Sequence, residues 1–445
     1  MTKIIMGLPV FYPIFGGGPL RFLRYQKGFH SRDIYSRVLS GTARNKDALH
    51  EMEDEETAGW DRYLIGSMLP VSEVEGIPIH RVQLPAKTSI IRTSVYFRAL
   101  IKICRDPKTR PDVIQLHSFA KRPESLFWIW RLKKLSIPIV YVIQIAGAKR
   151  PKSAIVYKLA SWIKRAFYNQ LDGIITSSEL IYSSLRKDGV QTPIAVIPNG
   201  VDLKRYRPRT VETCQRMRRE LGISESALVL LTIGAVSERK GTDLLLEAWA
   251  GLLEAHPDVE IIVVGPYAGG NSQDSTEFDA RVSELVETSA RPKAVHFLGV
   301  REDVQDLYAA ADLLVLPTAR EGGTPNVVLE AMASECPVLI TPFKGQSTAL
   351  GRPGLEFEQA QRSVAALATS IAGLLSDPDR RDALSRHGHS WVTSRLDQEK
   401  TLDCFAEFYR CAVDGTLVSV AFPNERHPAI QDASGSERTA SSSGV

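Results

Sequence analysis

The chain has 445 residues, 44% of them hydrophobic, and 55 Lys and Arg against 51 Asp and Glu give a formal net charge of +4. That length exceeds one ordinary core and that hydrophobic share can fill two, so two domains are expected. No apolar run approaches the roughly 20 residues of a membrane span, and the five scattered cysteines have neither metal-ligand spacing nor the even count of a disulfide framework.

From the N-terminus, "MTKIIMGLPVFYPIFGGG" reads as a first strand and a loop rather than a signal peptide, since it carries two prolines and a glycine triplet and lacks a small-residue cleavage pattern. Residues 42–60 include the acidic run "EMEDEE", an excursion or mobile loop outside the core. From Lys87 to Gln170 there are 18 Lys and Arg against three acids, a local charge of +15 that invites an anionic partner. Within that segment, "SLFWIWRLKKL" and "SAIVYKLASWIKRAFYNQ" interleave Lys158, Trp162, Lys164 and Arg165 with apolar residues. This pattern suits a surface resting on anionic lipid headgroups. No nucleic-acid module is visible, so nucleic acid is not expected as a partner.

Short runs rich in Val, Ile and Leu recur along the chain: "DVIQLH", "IPIVYVIQIA", "DGIITS", "IAVIPNG", "LVLLTIGA", "VEIIVVGP", "AVHFLG" and "DLLVLPT". Apolar on both faces and alternating with helical patterns, they predict an α/β protein with parallel strands covered by helices. A turn and a Pro- and Arg-rich stretch after "IPNGVDLKRYRPRT" mark a boundary. The expected division is 1–203, 204–395, a helix over 396–413 that returns to the first domain, and a Ser- and Gly-rich disordered tail over 414–445. The cysteine pattern is simplest in a reducing cytoplasm.

The chemistry concentrates in "PTAREGGTPNVVLEAMA", Pro317 to Ala333. A buried strand precedes it, Thr324 suits an N-cap, Pro325 suits the first helical position, and "NVVLEAMA" has helical composition. A strand, a glycine loop and a helix start present unpaired N–H groups to an anion. Glu330, one to two turns into that helix, can accept hydrogen bonds from ribose hydroxyls, and Glu321 can reach the other end of such a ligand. A surface loop with two solvated acids is the alternative reading.

This stretch, together with "IGAVSERKGTDLLLEAWAGLLEAHPDVEIIVVGP", "VHFLGVREDVQDLYAAADLLVLPT", "IPNGVD" and "PVFYPIFGGG", resembles the retaining glycosyltransferases of family 4. Their GT-B fold sets two Rossmann-like domains facing each other across a cleft. The resemblance implies that Glu330 binds the donor ribose and Glu321 the donor sugar, and that the backbone from Gly322 through Gly323, Thr324 and Asn326 to Val327 holds sugar and diphosphate. It further implies that Lys240 neutralises the diphosphate, that Gly16, Gly17 and Gly18 face the donor phosphates, and that His117 lies near the reacting sugar. The resemblance also implies that Gly265 and Val300, in "IIVVGP" and "VHFLGV", lie beside the nucleotide. Asn199 and Gly200 mark the interdomain turn.

The chain departs from the family in three places. Eight residues separate Glu321 from Glu330, one more than usual. Ala235 stands where an arginine is common, with Arg239 able to supply that charge. Gln144 replaces a second histidine. The expectation is a cytoplasmic enzyme, peripheral on the inner face of a membrane. It would move a sugar from a nucleotide-sugar donor to a hydroxyl on a glycan or lipid-linked acceptor, without metal or other cofactor. In the family the leaving phosphate is held to help deprotonate the acceptor. A catalytically silent scaffold that binds a nucleotide sugar or a partner enzyme is the competing expectation, and an epimerase or phosphorylase on the same fold is a third.

Overall fold

A computed structural model describes residues 1–8, 17–42, 64–85, 90–117, 123–143, 154–266 and 273–421; at 17–21, 154–157, 273–276 and 421 it describes the backbone alone. The acidic run, Gly16, Gln144 and residues 422–445 lie outside the described residues.

The first domain opens with β1 (Thr2–Gly7), α1 (Gly17–His30), β2 (Ile34–Gly41), β3 (Ser72–Val74) and β4 (Ile77–Val82). It continues through α2 (Ile90–Arg105), β5 (Val113–Leu116), α3 (Pro123–Lys133) and β6 (Ile139–Ile143). It then runs through α4 (Ala154–Tyr168), β7 (Gly173–Thr176), α5 (Glu179–Lys187) and β8 (Ile194–Val196). The second domain begins with α6 (Val211–Glu220), β9 (Leu228–Ile233), α7 (Thr242–Ala250), β10 (Val259–Val264), α8 (Gln273–Glu287) and β11 (Val295–Phe297). After these come α9 (Val304–Ala310), β12 (Leu313–Leu316), β13 (Arg320–Gly323), α10 (Asn326–Ala333), β14 (Val338–Ile340), β15 (Lys344–Gln346) and β16 (Glu358–Gln359). The described residues end with α11 (Val364–Ser376), α12 (Pro378–Arg395), α13 (Gln398–Asp414) and β17 (Val420–Ala421).

The first sheet has the order β17-β8-β7-β6-β5-β1-β2-β4-β3 and the second β11-β10-β9-β12-β14-β16. Every neighbouring pair is parallel except β3 with β4. Strands buried on both faces need helices on both. All six residues of β10, "VEIIVV", are buried, so the run that reads as apolar throughout in the sequence is sandwiched. In the first domain α2, α3, α4 and α5 cover one face, while α1 and α13 cover the other. In the second, α6, α9 and α10 cover one face and α7, α8 and α11 the other.

Strand order reverses between β1 and β5 in the first sheet and between β9 and β12 in the second. Helices leave opposite faces at such a point and open a crevice beyond the strand ends, where ligands of α/β sheets bind. The chain crosses between domains twice, and the crossings are tied together by Val201 N–H to Leu396 O at 2.8 Å and Gln398 N–H to Val201 O at 2.9 Å. After the second crossing, α13 packs Leu402, Phe405, Phe408 and Tyr409 against Phe22, Tyr25 and Phe29. One expectation is corrected here. The tail expected from Asp414 still places Val420 and Ala421 in the first sheet, pairing with β8, because backbone hydrogen bonds to a free sheet edge do not require apolar side chains.

Candidate active site

The second-domain side of the crevice is built from the turns that follow β9 and β12. Gly234 leaves β9 at φ 144°, and a Cβ there would lie 2.8 Å from the Lys240 Cε. The bare backbone lets Lys240 lie across the end of the strand. Its Nζ meets the Glu321 Oε1 at 2.7 Å, which also accepts from the Arg239 Nη1 at 2.9 Å and the Thr318 Oγ1 at 3.0 Å. Burial pushes the Glu321 carboxyl up, but Lys240 and Arg239 more than offset this and hold it below the usual carboxylate range. Three residues singled out in the sequence thus meet at one oxygen atom. Ala235, which follows Gly234, brings no charge, and Arg239 takes the second cationic position.

The segment between the two glutamates differs from its sequence reading. Gly322 and Gly323 are not in a loop; they close β13, which pairs with β15 in a two-stranded ribbon. Thr324 is not the N-cap. Its Oγ1 accepts from Asn199 N–H at 2.9 Å and its carbonyl from the Asn199 Nδ2 at 2.6 Å, so its side chain serves the interdomain turn. Pro325 takes the N-cap position with extended backbone, and α10 starts at Asn326. A proline offers no side-chain acceptor, so the first-turn amides at Asn326 and Val327 have no cap and remain available to an anion.

Glu330 lies on α10 with only 6% of its side chain exposed. Its Oε2 accepts from the Tyr308 hydroxyl at 2.9 Å and its Oε1 from the Arg24 Nη1 at 2.9 Å. Burial raises the Tyr308 hydroxyl well above its usual value, and Glu330 adds to this, so Tyr308 is a fixed donor. Arg24 comes from α1 of the opposite domain, and the pair bridges the crevice beside a cavity of about 190 Å³ lined also by Asn326, Tyr206 and Lys27. The buried Asn326 Oδ1 has no hydrogen-bond partner. At the other end of the ribbon, Gly323 at φ 61° brings its Cα against the first domain, where a Cβ would lie 2.0 Å from the Ser177 carbonyl oxygen.

Other predicted residues are placed as follows. Gly17 and Gly18 form the first turn of α1 rather than a loop, because the helix begins immediately at the glycines. His117 follows β5 at the switch point, buried, with its ring edge-to-face on Phe22 at 5.0 Å. Its Nε2 is 3.0 Å from the Gln115 Nε2, and Gln115 in turn accepts from the Tyr409 hydroxyl of α13. Gly265 donates its N–H to Gly299 O at 2.7 Å, which sets it beside exposed Val300 at one end of the crevice. Arg24, Tyr308 and Thr318 were not singled out in the sequence. Only Arg24 had a signal there, a cation two turns after the glycine triplet. Among the described residues no group of three or more His, Cys, Asp or Glu is arranged to hold a metal ion.

Two facing Rossmann-like domains, with a cation pair, an uncapped helix start and a buried carboxylate at the switch point, define a GT-B protein. The chain matches the description "Glycosyl transferases group 1" over residues 227–377 and "Glycosyl transferase 4-like domain" over 17–200, and it belongs to that family. It is 34% identical over 246 residues to the D-inositol 3-phosphate glycosyltransferase of Corynebacterium urealyticum, a match spanning 54% of this chain and 56% of that relative. Against the lipopolysaccharide core biosynthesis mannosyltransferase LpsB of Rhizobium meliloti it is 27% identical over 327 residues, 71% of this chain and 84% of that one. The solved structure of Anabaena HepE in complex with UDP-glucose superposes with a TM-score of 0.67 at 18% identity, covering 92% of this chain and 99% of that one, a likeness of fold.

Proposed function

We propose that the chain is a retaining, metal-independent glycosyltransferase that moves a hexosyl group from a nucleotide sugar to a hydroxyl of a glycan or lipid-linked acceptor. The observation that carries this reading is the meeting of Lys240, Arg239 and Glu321 beside the uncapped start of α10, one helix turn from Glu330. A departing nucleoside diphosphate accumulates negative charge, and two cations with helix N–H groups stabilise it where a metal would otherwise serve. Glu330 holds the ribose through its hydroxyls. Glu321, which pairs with both cations, turns to the donor sugar when the diphosphate takes them. The UDP-glucose bound by HepE and the acceptor class in the name of LpsB support the donor and acceptor classes.

The same reading sets the enzyme in the cytoplasm against an anionic membrane. No helix among the described residues is long and apolar enough to cross a bilayer. Instead α3 and α4 expose Trp130 and Trp162 beside Lys134 and Lys158, with the Lys134 Nζ 3.7 Å over the Trp130 ring. The test is a screen of the purified protein against a panel of nucleotide sugars, reading binding and slow donor hydrolysis with and without EDTA. Hydrolysis that survives chelation is expected. Abolition with rescue by magnesium overturns metal independence, and binding without turnover on any acceptor favours the silent scaffold.

A further inference from the structure

A groove of about 740 Å³ runs between α2 and α3, on the face of the first sheet opposite α1 and α13. Its floor is apolar, with Ile101 and Trp128 buried and Phe127 at its edge. Arg98, Lys102, Arg105 and Arg131 line it against a single acid, Glu124. None of those four cations has a side-chain partner among the described residues. A helix C-terminus favours a cation in its last turn, which accounts for Lys102, Arg105 and Arg131 one at a time. It does not account for four of them around one apolar floor, where they repel one another unless an anion sits between them.

The groove is also polar along its length. The helices α2 and α3 are successive crossovers of one parallel sheet and run the same way, so their cationic ends coincide. At the opposite end, Ile90 and Ile91 open α2 and are exposed by 66% and 63%. Apart from Glu124 in the first turn of α3, the groove has an apolar end, an apolar floor and a cationic end, which match an amphiphile with an anionic head.

We infer that the groove between α2 and α3 is a binding site for a single anionic phospholipid, with the phosphate among Arg98, Lys102, Arg105 and Arg131 and an acyl chain along Phe127 and Trp128 toward Ile90. This rests on the membrane reading and deepens it, from a charged face to a lipid-selective seat outside the sugar-transfer crevice. The site selects anionic over zwitterionic lipid, because a choline headgroup would bring its own cation to the cluster. It binds inorganic phosphate poorly, because that ion leaves the apolar floor empty.

The test titrates the full chain with short-chain phosphatidylglycerol below its micelle concentration, following tryptophan fluorescence. Short-chain phosphatidylcholine and inorganic phosphate serve as controls, and the variants are Arg98→Gln/Arg131→Gln and Trp130→Ala/Trp162→Ala. Phosphatidylglycerol alone is expected to bind. The arginine variant should lose about thirtyfold in affinity, the equivalent of about 1 kcal/mol for each basic side chain, with donor binding unchanged. Equal affinity in that variant, equal binding of either control, or no binding by the wild type overturns the groove. Flotation with vesicles of phosphatidylcholine, with and without phosphatidylglycerol, separates the two readings. If only the tryptophan variant loses vesicle binding, the membrane face stands and the groove falls; if the wild type ignores vesicles yet takes the short-chain lipid, the groove stands alone.

Discussion

At the scale of single residues, the two glutamates are held differently, and each arrangement makes a prediction. In the proposed function Glu330 offers its oxygens to ribose hydroxyls, but Arg24 occupies Oε1 from across the crevice. Glu330→Ala should weaken nucleoside diphosphate binding by tenfold or more, since each hydrogen bond to a charged group is worth about 1.5–3 kcal/mol. Arg24→Ala should tighten binding by a few-fold, because Glu330 keeps the Tyr308 hydroxyl and the ribose no longer has to displace the partly exposed Arg24 from Oε1. Calorimetry reads both, and a loss of affinity in Arg24→Ala would show that Arg24 assists the ribose instead. Lys240 and Arg239 share the Glu321 Oε1, so both should act on one phosphate. Lys240→Ala should cost on the order of a hundredfold in kcat and Arg239→Ala less, with the double variant falling short of their product. Full turnover in Arg239→Ala with a dead Lys240→Ala would make Arg239 a surface residue. The acids and cations were legible in the sequence because they sit in short strand-to-helix motifs. The contacts of Tyr308 and Arg24 with Glu330 were not, since the first depends on how α9 packs beside α10 and the second on how helices from two domains face each other.

At the scale of elements, the sheets were legible and their connections less so. Runs such as "VEIIVV" and "LVLLTI" read as buried parallel strands because helices on both faces impose one requirement on every side chain. The ribbon of β13 and β15 was not legible, because two glycines have no strand preference and their pairing is set by a partner more than 20 residues away. Thr324 was misread for a similar reason: its N-cap preference is local, while the hydrogen bonds to Asn199 come from the other end of the interdomain turn. That ribbon carries the second domain onto the first at Gly323. The substitution Gly323→Ala places a methyl group against the Ser177 carbonyl, a backbone atom that cannot rotate away, and adds left-handed strain of about 1–2 kcal/mol. The domains should then close less fully, with kcat/KM down at least tenfold and a larger radius of gyration in X-ray scattering. Unchanged activity and radius would mean that closure at this point is not required for transfer.

At the scale of the whole molecule, the chain uses α13 to support the first-domain sheet behind His117. The sequence returns this helix to the first domain, and α13 does pack there; the residues that receive its apolar stripe are not legible, since an apolar stripe names no partner. The structure sets Phe405 and Tyr409 among the aromatic rings of α1 and puts the Tyr409 hydroxyl on the buried Gln115, whose other end meets His117 at the switch point. A residue near the C-terminus thereby orients a side chain in the crevice through one intermediary. Tyr409→Phe keeps the ring and removes the donor, leaving the Gln115 carbonyl buried and unsatisfied or its amide free to flip. The expected cost is about 1–3 kcal/mol in urea unfolding, the range for a buried acceptor left without its partner. If the amide turns, the Gln115 oxygen faces the His117 Nε2 and favours the tautomer that carries a proton there, so kcat should fall while nucleoside diphosphate affinity does not. Deleting residues from Gln398 onward would instead uncover the apolar faces of Phe22, Tyr25 and Phe29 and unfold the first domain. A Tyr409→Phe protein that is destabilised but keeps its kcat would confine α13 to packing; one that loses turnover with nucleoside diphosphate affinity intact makes α13 part of what sets His117.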